Sequence, residues 1–232
     1  MSVIVIKVGG SLLKTKLLGE LCTQLGNIGK NHKVLFIPGG GIFADAVRDS
    51  TQSFNLDQDT SHWMAILSMN QYGYLLSSLI PGTICFENID DAINCAVKYQ
   101  PAILLPYKLM KDKDPLPHSW DITSDSIAAW IAGYIKAERL VLVKSTSMPA
   151  GAGDKNDYRL PVDLEKLKGR DIVDPFFYKI MKGIREQSEN ISQSIREDFT
   201  SISNLPLKSR VWIISGNYPE QLDDLFENFK IT

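Results

Sequence analysis

Three short stretches carry residue types that suit phosphate chemistry. The first is Lys7-Val8-Gly9-Gly10-Ser11, at the end of an apolar run. Glycines at such a point let a phosphate approach bare backbone N–H groups, and a helix opening there adds positive potential. Lys7 adds a full charge. The second is Pro38-Gly39-Gly40-Gly41, again directly after a hydrophobic run. The third is Ile122-Thr123-Ser124-Asp125-Ser126, where Thr123 suits a helix N-cap and Asp125 falls in the first turn. Neither glycine stretch has the spacing of a P-loop or of a dinucleotide fingerprint. Two glycine loops after successive strands place donor groups where open α/β sheets bind ligands. Asp125 can then accept from glycine-loop amides and from Lys7, fixing both against a transferring phosphoryl group.

Short β-rich runs alternating with helical patterns position these stretches, and they predict an α/β fold: a three-layer α/β/α sandwich on a mainly parallel open sheet. Strands are expected over residues 3–8, 34–37, 102–105, 140–143 and 211–214. Leu13, Leu17, Leu21, Leu25 and Ile28 keep helical spacing. Further helices are expected from the glycine run through Val47, over 60–79 with Thr60 or Ser61 as N-cap, over 123–135, and over 218–229. Residues 107–121, flanked or broken by Pro106, Pro115 and Pro117, read as a long functional loop, and 144–160 as a second loop. Ile184, Ile191 and Ile195 give a narrow apolar stripe on a further helix.

The 232 residues are 44% hydrophobic and 22% charged, with a net charge of -2. That suits one globular domain with a large core. No basic stripe of the kind that binds nucleic acid is present. No apolar run approaches the ~18 residues of a membrane span, and Lys7 breaks the N-terminal apolar run where a signal peptide would continue. Cys22, Cys85 and Cys95 stand apart in apolar surroundings, as reduced core residues of a cytoplasmic protein do. No metal site is expected from them.

Taken together, K-x-G-G-S near the N-terminus, P-G-G-G after the second strand and S-D-x-x-A opening a later helix resemble the amino-acid-kinase superfamily. Within it, Ser61-His62, the run His118-Ser119-Trp120-Asp121-Ile122-Thr123-Ser124-Asp125-Ser126, Val173-Asp174 and Gly216-Asn217-Tyr218-Pro219-Glu220 resemble kinases of an aminomethylfuran phosphate in methanofuran biosynthesis. The resemblance implies an ATP- and Mg²⁺-dependent phosphotransferase acting on a small phosphomonoester, with catalytic Lys7 and Asp125. It implies phosphate contacts from Gly9, Gly10, Ser11 and Asp174, and a second phosphate-facing lysine, for which Lys208 and Lys144 are the alternatives. An acceptor side follows from Gly39, Gly40, Gly41, His62, His118, Trp120 and Ser124. It also implies an acceptor lobe over about 1–137, a nucleotide lobe over about 138–232 with a helical insertion near 179–204, and a homodimer or higher homo-oligomer. Where the family carries a T-D-x-D-G-like turn, this chain has Lys144-Ser145-Thr146-Ser147-Met148. That departure leaves open a binding or assembly protein without catalysis, and a carboxylate acceptor remains a third reading.

Overall fold

A computed structural model of the chain describes residues 3–146, 158, 161–163, 171–182 and 211–229. The expected helix around Ile184 to Ile195 and the site expected at Lys208 lie outside the described residues. Among the described residues the sheet has six strands: β1 Ile4–Val8, β2 Val34–Pro38, β3 Ile84–Phe86, β4 Ala102–Leu104, β5 Arg139–Lys144 and β6 Val211–Ser215. Their order is β3-β4-β2-β1-β5-β6, and every pairing is parallel. The central strands β1 and β2 are buried along their whole length, as parallel strands covered on both faces must be.

Alternation along β1 and β5 separates two cores. Val3, Val5, Leu140 and Leu142 face one layer, and Ile4, Ile6, Val8, Val141 and Val143 face the other. The first layer holds α4 (Ile89–Ala96), α6 (Ser124–Tyr134) and α7 (Pro175–Lys182); the second holds α1 (Leu18–Asn31) and α8 (Glu220–Phe229). Helix α3 (Gln58–Leu79) serves both, with Ile66 and Met69 in one core and Tyr72 and Leu76 in the other. Helix α6 is buried from Asp125 to Gly133, including the whole of Trp130. Truncating such an indole costs about 3–5 kcal/mol.

Several elements differ from the sequence reading. A 3-10 turn over Gly10–Lys14 precedes α1, so the Leu13 to Ile28 periodicity spans two elements. Helix α2 (Gly41–Phe54) runs two turns past Val47. Helix α3 starts earlier than expected, because Asp57 is the cap and accepts the Thr60 amide at 2.7 Å. The stretch 107–121 is not all loop: α5 occupies Tyr107–Lys113, with Pro106 at its N-cap and Asp114 closing it at φ 44°. Strand β3 and helix α4 had no sequence signal strong enough to place them; Asn88 caps α4 by accepting from Asp90 and Asp91. Cys22 and Cys95 are buried and Cys85 half-buried, all as free thiols. Among the described residues no helix is long and apolar enough to cross a membrane.

Candidate active site

The strand pattern brings two lysines together. Lys7 lies one residue before the end of β1, and Lys144 ends β5, the neighbouring parallel strand. Counting in twos from Val5 and from Leu142 puts both on the face that carries α6. The N-terminus of α6 delivers Asp125 between them. Lys7 Nζ forms an ion pair with Asp125 Oδ1 at 2.8 Å, without the alignment of a hydrogen bond. Lys144 Nζ donates to Oδ2 at 2.5 Å and also to the carbonyl of Ile172.

All three side chains are largely out of water, Asp125 most of all. Burial of the Asp125 carboxyl works to raise its pKa, but Lys7 and Lys144 outweigh it and hold the pKa below the usual value. Loss of hydration pulls the Lys144 pKa below that of a free lysine; Asp125 opposes this, and Lys7 adds to it. The result is a buried cluster of two cations and one anion, with one positive charge to offer a phosphoryl group.

The glycine loops meet here, backbone to backbone. A Cβ on Gly10 would lie 2.0 Å from the Gly41 nitrogen, and one on Gly39 would lie 2.4 Å from the Gly10 nitrogen. Gly41 also needs its φ of 58°. The glycines are therefore required first by the crossing of the loops. Contrary to the sequence expectation, the amides of Gly9 and Gly39 are not available to a ligand: they donate to Val143 and Val8 at 2.8 Å each. The cavity is lined instead by Gly10, Ser11, Gly40 and Gly41. Gly10, Ser11 and Gly41 sit in the first turns of helices, where N–H groups lack intrahelical partners.

Asp174 also reaches the cavity, yet the geometry does not fit the phosphate contact expected of it. Its oxygens accept from Thr123 N (3.1 Å), Thr123 Oγ1 (2.7 Å), Ser126 N (3.1 Å), Ser126 Oγ and Phe177 N (2.9 Å). One carboxylate thus ties the first turns of α6 and α7 together, and so fixes Asp125. Beside the first glycine loop, Ser11 Oγ and Ser145 Oγ are 2.7 Å apart, and Asn217 Nδ2 donates to the Ser145 carbonyl at 2.6 Å. Ser145, at the start of the stretch that replaces the family's acidic turn, is thus held from both Ser11 and Asn217.

The cavity, about 550 Å³, runs from the lysines out past His62, Trp120 and Ser124. Trp120 stacks on the Arg48 guanidinium at 4.9 Å. Asp45 pairs with Arg48 at 3.2 Å and with Lys14 at 3.0 Å. Sequence reading missed Lys14, Asp45 and Arg48, because charges on exposed helix faces look like ordinary solvated residues. His118 does not line the cavity. It lies behind His62, stacked on it at 4.3 Å, with its ring nitrogens 2.6 Å from Asp59 and 2.8 Å from Asp114. Its expected contact with an acceptor is therefore indirect.

A parallel three-layer α/β sheet with a lysine–aspartate–lysine cluster between two glycine loops defines a phosphotransferase of one family. The chain belongs to the amino acid kinase family, whose profile matches residues 2–147. It is 27% identical over 226 residues to the (5-(aminomethyl)furan-3-yl)methyl phosphate kinase of Methanocaldococcus jannaschii, covering 96% of this chain and 92% of that one. The fold is similar to that of the uridylate kinase of Archaeoglobus fulgidus, with a TM-score of 0.60, 16% identity, and 98% and 96% of the two chains covered. It is also similar to the UMP kinase of Bacillus anthracis, with a TM-score of 0.57, 12% identity, and 97% and 91% covered.

Proposed function

We propose that the protein transfers the γ-phosphoryl group of ATP to a small phosphomonoester, (5-(aminomethyl)furan-3-yl)methyl phosphate or a close analogue, to give a diphosphate and ADP. The observation that carries this reading is the Asp125-bridged pair of buried lysines. An acceptor phosphate oxygen attacks the γ-phosphorus, and the bond to the ADP oxygen breaks. Charge gathers on the equatorial oxygens in transit, where Lys7 and Lys144 stabilise it. Asp125 takes no proton; it keeps both ammonium groups in place and charged. Gly10 and Ser11 suit the donor phosphates, and Gly40 and Gly41 the acceptor phosphate. The acceptor lobe then spans about 1–137 and the nucleotide lobe about 138–232. Subunits associate as a dimer or larger homo-oligomer.

Among the described residues no cluster of three or more His, Cys, Asp or Glu is arranged to hold a metal ion. Both Asp125 oxygens already face lysines. The donors present therefore fit a Mg²⁺ that arrives on the nucleotide's phosphates and keeps several waters. When bound, the ion neutralises phosphate oxygens. The rewritten turn favours catalysis over a silent binding role, since it supplies Lys144 to the cluster. The test is phosphorus NMR of the protein with Mg²⁺, ATP and the aminomethylfuran phosphate. A diphosphate and ADP should appear together. ATP left intact with this acceptor, but consumed with a carboxylate or a different phosphomonoester, would refute the assignment.

A further inference from the structure

His62 is a buried imidazole on the cavity wall, 8% exposed. Among the described residues its ring nitrogens make no hydrogen bond, and neither is a fully enclosed polar atom. His118 stacks on the His62 ring at 4.3 Å, and Trp63 abuts both histidines at a steep angle, 4.9 Å from each. His118 in turn is clamped by Asp59 of α3 and by Asp114, the residue that closes α5. A cavity-wall ring held by two neighbours, with no hydrogen-bond partner of its own, is available to a molecule bound there. We infer that His62 is a specificity-determining residue: as a neutral imidazole it accepts a hydrogen bond from the amine end of the acceptor, while the lysines hold the phosphate end. This rests on the acceptor class proposed above.

The electrostatics agree with the geometry. Burial first, and the neighbouring His118 second, lower the His62 pKa to about 4, against weaker opposition from Asp114 and Asp59; Lys111 of α5 lowers it further. Burial also works against His118, but its two carboxylates win and raise its pKa. The stacked pair therefore divides the roles. His118 takes the proton before His62, which stays neutral, with a lone pair on one ring nitrogen, until the pH falls toward about 4.

The test compares binding of two acceptors by calorimetry, without nucleotide: the aminomethylfuran phosphate and its counterpart with methyl in place of aminomethyl. The wild type should prefer the amine. His62→Phe keeps the packing but has no ring nitrogen, and should lose roughly 5- to 30-fold of that preference. His62→Asn, which restores an acceptor atom, should recover part of it. His118→Ala removes the neighbouring positive charge and leaves both carboxylates, so the His62 pKa rises. In that variant the preference should fall between pH 8 and pH 5.5, where the wild type holds it. Equal preference in wild type and His62→Phe, or no preference in the wild type, overturns the inference. Amine preference that depends on His62 without any phosphoryl transfer would uphold the inference and sink the kinase reading alone.

Discussion

At the scale of single residues, Asp125 shows what a sequence can and cannot say. Its motif and its place at a helix start were legible, and so was a partnership with Lys7. Thr123 caps α6, as the sequence suggested, and Asp125 separates two buried cations. Asp125→Asn should therefore lower stability by about 3 kcal/mol as well as slow transfer roughly 10- to 150-fold. Thermal unfolding beside turnover reads both; an unchanged melting temperature would show that the lysines do not repel as argued. Lys144 gives a second prediction. Its pKa is lowered and it acts as a cation, so activity should fall, as pH rises, earlier than a free lysine would dictate. Lys144→Arg, which stays charged, should move that alkaline limb upward in a pH–rate profile. His118 could not be read this way, because Asp59, 59 residues away in the chain, is joined to it only by the fold.

At the scale of elements, the strands and long helices followed from periodicity, whereas short or capped pieces did not. Helix α5 has seven residues, too few for a periodic pattern, and prolines on both sides made it look like loop. Asp174 shows the limit from the other direction. Nothing local in Val173-Asp174-Pro175 says that its carboxylate caps a helix 48 residues upstream as well as its own. Asp174→Ala would orphan the first-turn donors of α6 and α7 together. A loss of about 3 kcal/mol is expected, from hydrogen bonds to a charged group. Turnover should drop with no matching rise in KM, because the misplaced group is Asp125 rather than a substrate contact. A rise in KM alone, read from initial rates, would mean that Asp174 touches substrate after all.

At the scale of the whole molecule, the order β3-β4-β2-β1-β5-β6 makes the gap between β1 and β5 the switch point, and the lysines stand at its carboxyl end. The sequence pointed to that end of the sheet but not to the crossing of the two glycine loops there. Gly10→Ala forces backbone against backbone and should destabilise by about 1–3 kcal/mol or more while lowering activity. Gly19→Ala, in helix α1 with nothing within 4 Å of the added methyl, should stabilise by about 0.5–1 kcal/mol. Denaturant midpoints of the two variants would differ in sign. The three thiols add a use for the buried core. Cys22 is pushed up to about 11 by burial in α1, and burial likewise raises Cys85 on β3 and Cys95 on α4. A protonated, enclosed sulfur cannot attack an alkylating reagent, so Cys22 and Cys95 react only when their own parts of the chain open, while Cys85 is partly accessible from the start. The protein thus carries three built-in clocks: the half-buried Cys85 should label first, and Cys22 only at the rate of global unfolding.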